Sequence, residues 1–448
     1  MAAMTFHIKT YGCQMNARDS ESVEALLQRH GMQPVAEDDA EVVIVNTCSV
    51  RGKAEDKALG KLGLMVASKR ERPERVVGAM GCMVQRLADT IFTRLPGLDF
   101  AVGTRRLGRL PGILDLVRAG GGPVLDTEQE DVDVEALTGH AERGVTAFVN
   151  ILFGCDRRCS YCVVPDVRGR EWSRPAASIL AEVAALAAAG VREVTLLGQS
   201  VMMYGRRDAV WPADYTSPHG YREPLTRLLE AVAATPGIAR VRFTSGHPSG
   251  CTPELAAAMG ALPELCPHIH VPVQSGADRI LQLMRRGYAA ADYRDAVAGL
   301  RAVVPALAVT TDVIVGFPSE SPDDFEATRR LLDEVDVDQS FIFKYSPRPG
   351  TPAADMPDDV DDAEKMRRNQ VLLADQDRRA LAINTRLVGQ TVPVLVEGPS
   401  LRNPDRWAGR TGTNKIVVFD HVPGVSAGDE VSIAIERVMP QTLYGRVV

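Results

Sequence analysis

AFVNILFGCDRRCSYC, residues 147–162, joins an apolar run typical of a β-strand to Cys155, Cys159 and Cys162 in a C-x3-C-x2-C pattern. Four-iron clusters and structural zinc sites normally take four protein ligands, so three thiolates indicate a metal centre with one open coordination position. A zinc knuckle would need a fourth Cys or His close by, and the next one along the chain is His219. Such a knuckle and a chance group of core cysteines are the alternatives, and the run favours an open 4Fe-4S cluster over both.

Six apolar runs follow one another up to about residue 346, with helix-like stretches between them. They are AFVNILFG, VREVTLLGQ, ARVRFTSG, HIHVPVQSG, LAVTTDVIVGFP and QSFIFKYSP. Six strand and helix units are fewer than the eight of a full TIM barrel, which favours a partial (β/α)6 barrel. The functional face of such a barrel is formed by the carboxyl ends of its strands, and Cys155 follows the first run directly.

The first 120 residues alternate strand-like and helix-like segments, which predicts an open parallel α/β domain. The expected strands are TFHIKTYG, EVVIVNTC and RVVGAMGC, and the expected helices cover roughly residues 18–30 and 51–69. Cys13, Cys48 and Cys82 come where these strands end. The carboxyl ends of parallel strands share one edge of a sheet, so we expect the three thiols to meet there. The alternative is three unrelated buried cysteines, since free cysteine is among the most buried residue types.

The length of 448 residues and a hydrophobic content of 45% predict about three domains. Residues 119–146 combine a triple glycine with an acidic run and predict a connector. A charged helix is expected over roughly 362–386. The short β patterns after it, TVPVLVEG, NKIVVFD, EVSIAIERV and LYGRVV, predict a small β-barrel of the oligonucleotide-binding kind. The expected domains are 4–120, 141–380 and 382–448.

Charge and segment patterns exclude several classes of protein. A net charge of −7 provides no overall basic field, so any RNA contact must come from local patches. Eight cysteines in a chain of this length are too sparse for a disulfide scaffold. Cys251 and Cys266 have no partner at ligand spacing and are expected to be ordinary buried thiols. Without a signal peptide or an apolar stretch of ~20 residues, we expect a cytoplasmic protein with no membrane contact.

A local excess of positive charge surrounds the C-x3-C-x2-C run. It comes from Arg157, Arg158, Arg168, Arg170 and Arg174. Such a run is usually a solvated loop, but at the mouth of a barrel it is also suited to position a phosphate backbone.

The stretch DVIVGFPSE contains Asp312, Gly316 and Glu320. Most of it must be an apolar core strand followed by a turn. The glycine after the strand would also let a nucleoside approach the backbone, which makes this stretch a candidate part of a binding site.

The cysteine patterns together resemble the radical S-adenosylmethionine methylthiotransferase family. The resemblance rests on GCDRRCSYCVVPDVRGREWSRP in the centre, on YGCQMNARDSE, NTCSVR and GCM in the first domain, and on a last domain similar to TRAM. TYGCQMN followed by NTCSVRGKAEDK resembles the branch that acts on isopentenyladenosine in tRNA. Two positions differ from the usual pattern of that branch: Ser200 stands where Asn is typical, and Gly246 separates a Ser from a His that are normally adjacent.

The resemblance implies two 4Fe-4S clusters and S-adenosylmethionine as cofactors. The cluster that binds S-adenosylmethionine and generates a 5′-deoxyadenosyl radical is implied on Cys155, Cys159 and Cys162. The auxiliary cluster, which keeps an iron free for sulfide, is implied on Cys13, Cys48 and Cys82. Further cofactor contacts are assigned to Tyr161, Gln199, Ser200, Asp312, Gly316 and Glu320, and no catalytic residue is assigned beyond the clusters.

The implied activity is transfer of a methylthio group to C2 of N(6)-isopentenyladenosine at position 37 of tRNA, with two molecules of S-adenosylmethionine. The expected partners are tRNA carrying isopentenyladenosine, an electron donor such as flavodoxin or ferredoxin, and a sulfur source, and a monomer is expected. A sister activity on threonylcarbamoyl-adenosine or on an aspartate of a ribosomal protein is the first alternative. A non-catalytic iron–sulfur RNA-binding protein is the second alternative, although two separate three-cysteine sets are poorly suited to a purely structural role.

Overall fold

The computed structural model describes residues 4–49, 52–129, 138–141 and 144–448. Contacts within the chain divide it into two compact units. The first unit comprises residues 1–143, 153–157 and 162–171, and the second comprises residues 144–152, 158–161 and 172–448. Part of the predicted connector, residues 130–137 and 142–143, lies outside the described residues, as does residue 51 of the second predicted helix.

A parallel α/β sheet forms the first unit. Its elements are β1 (Thr5–Thr10), α1 (Gln14–Arg29), β2 (Gln33–Pro34), β3 (Val42–Thr47), α2 (Gly52–Ser68), β4 (Val76–Gly81), α3 (Cys82–Leu87), α4 (Thr90–Arg94), β5 (Phe100–Val102), α5 (Leu110–Arg118) and β6 (Val124–Asp126). The strand order is β2-β1-β3-β4-β5-β6, and every pair is parallel. All six residues of β3 are buried, as expected for a central strand covered on both faces. The predicted open parallel α/β fold is confirmed.

Two boundaries in this unit differ from the expectation. Helix α1 begins at Gln14 rather than near residue 18, because the Asn16 side chain accepts a hydrogen bond from the Cys13 backbone N–H and closes the first turn. Strand β6 pairs with β5 inside the segment predicted as a connector, so the sheet continues past residue 120. Three residues are too few to show an alternating pattern, and the preceding glycines suggested a linker instead.

Two three-stranded parallel sheets form the centre of the chain. The elements from Thr146 onward are β7 (Thr146–Asn150), β8 (Leu152–Phe153), α6 (Val164–Arg168), β9 (Trp172–Ser173), α7 (Ala176–Ala188), β10 (Glu193–Leu197), α8 (Pro224–Ala233), β11 (Arg240–Phe243), α9 (Pro253–Ala261), β12 (His268–His270), α10 (Asp278–Leu283), α11 (Ala290–Val303), β13 (Ala308–Val315), α12 (Pro322–Glu334), β14 (Gln339–Lys344) and α13 (Asp362–Thr385). The sheets have the orders β11-β10-β7 and β12-β13-β14. Their six strands are the six predicted apolar runs.

The core of this region is filled by side chains that alternate along the strands. Val149, Val194, Val241, Ile269 and Val313 are each at most 1% exposed. Burying such aliphatic side chains stabilises a fold by about 1.5–3 kcal/mol each. Within the described residues, no helix combines the length and the hydropathy of a membrane-spanning segment.

A closed five-stranded barrel ends the chain. Its strands are β15 (Thr391–Pro399), β16 (Arg406–Thr411), β17 (Ile416–Asp420), β18 (Glu430–Val438) and β19 (Thr442–Val447), in the order β15-β16-β17-β19-β18. The sequence patterns predicted four of these strands and missed β16. The inward positions of β16 are Gly409 and Thr411, so the strand shows no apolar alternation. A Cβ atom at Gly409 would lie 2.2 Å from the Leu395 carbonyl oxygen, which explains the small residue.

Two arginines of β11 hold this barrel on the central region. Arg242 donates hydrogen bonds to the backbone carbonyls of Thr411 and Gly412, at 2.8 Å each, and to the Glu193 carboxylate at 2.9 Å. Arg240 donates to the Arg410 carbonyl at 2.6 Å and pairs with Glu430 at 2.8 Å. Both arginines are nearly fully buried. Because side chains alternate along a strand, these two share the face opposite the core.

Replacing Arg242 with Met should lower the free energy of unfolding by about 3–5 kcal/mol, because Glu193 is then buried without its cation. Urea denaturation followed by tryptophan fluorescence measures this difference. The exposed Arg402→Met is the matched control and should change stability by less than about 0.5 kcal/mol. Adding Glu193→Gln to Arg242→Met should recover part of the loss. Equal effects of Arg242→Met and Arg402→Met would show that the contact does not hold the barrel.

Candidate functional site

Cys13, Cys48 and Cys82 follow three neighbouring strands of the first unit. Cys13 is the N-cap residue of α1 after β1, Cys48 directly follows β3, and Cys82 is the first residue of α3 after β4. Cys48 and Cys82 are buried, and Cys13 is half-buried. The thiols of Cys13 and Cys48 both lie near enough to influence the ionisation of Cys82. The parallel sheet therefore gathers the three side chains at one edge.

Glycines allow the backbone to approach these cysteines closely. Gly12 has φ +142°, and a Cβ atom there would lie 2.9 Å from the Cys48 Cβ atom. Gly81 has φ +99°, and a Cβ atom there would lie 2.5 Å from Asn46 Oδ1 and 2.7 Å from the Thr47 carbonyl oxygen. Any other residue would be strained at both positions and would push against the site.

Two buried asparagines tie the strand ends together. The Asn16 side-chain amide donates to Asn46 Oδ1 at 3.1 Å and to the Thr47 carbonyl at 3.0 Å. Asn46 donates in return to the Asn16 carbonyl at 2.8 Å. The Thr47 hydroxyl continues the network to the Met80 carbonyl of β4 at 2.6 Å. Such a fully buried network stabilises one arrangement of the loops that carry the cysteines.

A buried ion pair lies beside these thiols. Arg168 contacts Asp19 at 2.6 Å, with side chains 6% and 4% exposed. Burial raises the pKa of the Cys82 thiol to about 11, and the Arg168 guanidinium opposes this rise. Burial alone would lower the pKa of Arg168, but Asp19 and Cys82 hold it well above its ordinary range. Arg168 therefore supplies positive charge that favours thiolates at this edge.

The structure corrects the role suggested for two of the arginines near the C-x3-C-x2-C run. Arg168 is engaged with Asp19, and Arg174 pairs with Glu182 at 2.8 Å with both side chains buried. Neither guanidinium is available to a phosphate backbone. The local charge excess in the sequence carried no information about which side chains would be buried.

The C-x3-C-x2-C run begins on a further left-handed glycine. Gly154 has φ +74°, and a Cβ atom there would lie 2.1 Å from the Arg170 carbonyl oxygen. The Cys155 backbone N–H donates to the Gly169 carbonyl at 3.2 Å. Cys155 and Cys162 group with the first unit and Cys159 with the second. A glycine with positive φ thus precedes Cys13, Cys82 and Cys155 alike.

The second unit surrounds Cys159 with Arg286 and two tyrosines. The Arg286 guanidinium lies 3.3 Å from Cys159 Sγ and 3.4 Å from the Tyr161 hydroxyl, and it contacts the Tyr288 hydroxyl at 3.1 Å. The Tyr161 ring packs against an apolar cluster that includes Met284 and Phe317. Sequence reasoning assigned Tyr161 but missed Arg286, because MRRGY contains no motif that indicates burial next to a cysteine.

At the carboxyl ends of β7 and β10, three buried amide atoms have no hydrogen-bond partner among the residues that the structure describes. They are Asn150 Oδ1 and both Nε2 and Oε1 of Gln199. The two strands are neighbours, with Asn150 opposite Leu197, so these atoms lie at one edge of the sheet. Buried polar groups are normally hydrogen-bonded, so this edge has the donors and acceptors for a polar ligand. Ser200 next to Gln199 is buried as well.

The remaining predicted contacts follow β13. Asp312 lies 3.5 Å from the His270 ring and is partly exposed. Glu320 is buried, pairs with Arg368 at 2.6 Å and accepts from the Gly316 backbone N–H at 2.6 Å. Through these internal contacts, Glu320 and Gly316 stabilise the turn that follows β13. A Cβ atom at Gly316 would lie 2.3 Å from the Lys365 stem, so this glycine accommodates a side chain of α13.

The cysteine sets suit clusters better than single metal ions. Among the side chains that the structure describes, no three His, Cys, Asp or Glu groups are placed to hold a metal ion. The cysteine ligands of a 4Fe-4S cluster each bind a different iron, so they need not converge on one point as the ligands of zinc do.

Cys251 and Cys266 lie outside both cysteine sets. Burial raises the pKa of Cys251 to about 12 and that of Cys266 to about 11, as for ordinary core thiols.

Three family profiles match the chain in sequence order. They are the uncharacterized protein family UPF0004 over residues 5–103, the radical SAM superfamily over residues 149–332 and the TRAM domain over residues 385–448. The tRNA-2-methylthio-N(6)-dimethylallyladenosine synthase of Moorella thermoacetica is 45% identical over 455 residues, covering 100% of this chain and 99% of the relative. The chain belongs to this synthase family. The synthase of the same name from Opitutus terrae is 43% identical, covering 99% of this chain and 97% of the relative.

A solved radical S-adenosylmethionine methyltransferase shares the fold. TsrM of Kitasatospora setae, with cobalamin and a [4Fe-4S] cluster bound, has a TM-score of 0.57 and 14% identity over 79% of this chain and 77% of that chain. At this identity the likeness concerns the fold alone. Membership of the synthase family makes the chain a radical SAM enzyme, with S-adenosylmethionine and an iron–sulfur cluster as cofactors.

Replacing Gly81 with Ala should lower the free energy of unfolding by about 1–3 kcal/mol more than Gly31→Ala, because the added methyl overlaps Asn46 and Thr47. Gly31 is the matched control, since it has φ +80° but open space around its Cβ position. Urea denaturation of the apoprotein measures both variants. Equal losses would mean that the backbone angle alone, and not the close approach to the asparagine network, requires glycine.

Proposed function

We propose that this chain transfers a methylthio group to C2 of N(6)-isopentenyladenosine at position 37 of tRNA. The observation that carries the proposal is the pair of separate three-cysteine sets, in a chain whose full-length relatives are synthases of that product. One set gathers at the edge of the first sheet, and the other follows the first strand of the partial barrel. Two such sets are what a radical reaction combined with sulfur delivery requires.

We assign the auxiliary 4Fe-4S cluster to Cys13, Cys48 and Cys82. Three thiols leave one iron without a protein ligand, and the cysteines that remain outside both sets, Cys251 and Cys266, belong to the second unit. When bound, a cluster held in this way would supply the position for the sulfur that is transferred. Arg168 favours the thiolate forms that bind iron, and the asparagine network keeps the strand ends in place.

We assign the cluster that binds S-adenosylmethionine to Cys155, Cys159 and Cys162. When bound, this reduced cluster supplies reductive cleavage of S-adenosylmethionine to methionine and a 5′-deoxyadenosyl radical. Gln199 and Asn150 offer buried amide atoms that suit the polar groups of the cofactor. We place Tyr161, Ser200 and Asp312 in the same contact set. The internal contacts of Gly316 and Glu320 support the turn after β13 instead.

The proposed partners follow from this chemistry. The target base is in an anticodon loop, where an unstacked adenosine is accessible to a protein pocket. The reaction consumes electrons and sulfur, so we include a one-electron donor such as flavodoxin or ferredoxin and a sulfur source.

Anaerobically reconstituted protein with reductant, S-adenosylmethionine and tRNA bearing isopentenyladenosine should form the 2-methylthio nucleoside, measured by mass spectrometry of digested tRNA. Parallel reactions with tRNA bearing threonylcarbamoyl-adenosine, and with the ribosomal protein, should form no product. Product in either of those reactions, and none with isopentenyladenosine, would assign the chain to a sister activity. Absence of S-adenosylmethionine cleavage in every reaction would favour the non-catalytic alternative.

Replacing Cys13, Cys48 and Cys82 together with Ala should reduce the methylthio product below detection. Formation of 5′-deoxyadenosine should persist, since the other cysteine set is intact. The matched control is Cys251→Ala with Cys266→Ala, which should retain both activities. Loss of 5′-deoxyadenosine in the triple variant, with its secondary structure unchanged, would mean that the roles of the two sets are assigned wrongly.

A further inference from the structure

Arg286 is a buried cation whose nearest partners are a thiol, two hydroxyls and a carbonyl. The side chain is 8% exposed. Its guanidinium donates toward Cys159 Sγ at 3.3 Å, the Tyr161 hydroxyl at 3.4 Å, the Tyr288 hydroxyl at 3.1 Å and the Pro272 carbonyl at 3.1 Å. Within the part of the chain that the structure describes, no carboxylate forms an ion pair with it.

Three other buried arginines of this chain are paired with carboxylates. Arg168 contacts Asp19, Arg174 contacts Glu182 and Arg368 contacts Glu320, at 2.6, 2.8 and 2.6 Å respectively. A buried charge is costly unless an opposite charge compensates it. In the functional protein the anion nearest to Arg286 is the Cys159 thiolate. The counter-charge of Arg286 is therefore this thiolate, together with the net negative charge of the three-thiolate cluster to which it belongs.

We propose that Arg286 is a positioning residue that raises the reduction potential of the cluster bound by Cys155, Cys159 and Cys162, through its charge and its N–H donor on Cys159 Sγ. The inference rests on the proposed function, which places a cluster on this thiolate. Reduction adds one negative charge to the cluster, and a fixed positive charge stabilises the more negative state. Hydrogen bonds to cluster sulfurs act in the same direction.

Reduction of the cluster requires the transfer of one electron. One electron passes from a low-potential one-electron donor, a flavin or iron–sulfur protein, to the cluster, which is reduced while the donor is oxidised. No bond of the protein forms or breaks, and Arg286 neither gains nor loses a proton. Because an arginine remains protonated throughout the accessible pH range, its contribution is a constant charge.

Arg286 also has a local structural role, and the test must separate that role from its effect on the reduction potential. Its contacts with Pro272 and Tyr288 join the loop after β12 to the loop after α10. Loss of those contacts alone would reduce stability and iron content without moving the potential of the cluster that still assembles. Lys at this position keeps the charge and loses the guanidinium fork, whereas Gln keeps polar contacts and loses the charge.

The experiment uses the full-length chain with Cys13, Cys48 and Cys82 replaced by Ala, so that one cluster is left to observe. Redox titration followed by electron paramagnetic resonance measures the reduced fraction at each potential. Arg286→Gln should lower the reduced-to-oxidised ratio at a fixed potential about tenfold, equivalent to ~59 mV for one electron. Arg286→Lys should lower it less than about threefold. The neighbouring exposed Arg285→Gln is the matched control and should leave the ratio unchanged.

The redox titration separates failure of the inference about Arg286 from failure of the proposed function. If the protein with Arg286 intact assembles no cluster that can be reduced, the assignment of Cys155, Cys159 and Cys162 fails. If the cluster assembles with a normal signal but Arg286→Gln does not move the ratio, the inference about Arg286 fails alone. Equal shifts in Arg286→Gln and Arg286→Lys would assign the effect to the guanidinium hydrogen bond and overturn the contribution of charge. Should Arg286→Gln fail to bind iron, Arg286→Met takes its place, because it keeps an apolar stem and removes the charge. A fall of about tenfold in that variant, with a smaller fall in Arg286→Lys, supports the proposal, and an unmoved ratio in Arg286→Met overturns it.

Discussion

Parallel pairing of β1, β3 and β4 is the constraint on which the site of the first unit depends. Residues 13, 48 and 82 are too far apart in sequence to form a local loop, and only the common direction of the three strands places their carboxyl ends together. The Asn16 amide satisfies the Thr47 carbonyl at the end of β3, and the Asn46 amide binds back to the Asn16 carbonyl in the first turn of α1. The cysteines are therefore held by the sheet itself, with glycine at the points where the loops approach closely.

The buried arginines beside the two cysteine sets differ in whether a carboxylate neutralises them. Near Cys82 the buried Arg168 is compensated by Asp19, so its field on the thiols is partly cancelled. Near Cys159, the partners of the buried Arg286 among the described residues are uncharged oxygens and the sulfur. A buried cation without an adjacent carboxylate acts more strongly on a neighbouring thiolate than a compensated cation does. The same residue type thus has two consequences, decided by whether a carboxylate is adjacent.

Prediction of the fold succeeded where strands bury long apolar side chains. The six central strands and three of the strands in the first sheet were recognised because hydrophobic periodicity reports burial directly. It failed at β16, whose interior is filled by Gly409 and Thr411, and at β2, β5 and β6, which are only two or three residues long. It also misjudged Arg168 and Arg174, since an arginine-rich segment has the same composition whether its side chains are solvated or paired inside the protein.

The sequence alone indicated a metal centre with an open coordination position, because the number and spacing of cysteines limit how many thiolates a centre can receive. Its resemblance to the methylthiotransferase family indicated the class of chemistry. It also determined the order of the domains, since each has its own periodicity. The tertiary structure decided which polar side chains lie beside the cysteines and at the strand ends: the Asn16 and Asn46 network, the buried amide of Gln199 and the contact of Arg286 with Cys159. These join residues from 30 to 127 positions apart or depend on burial, and neither property is visible in a local pattern.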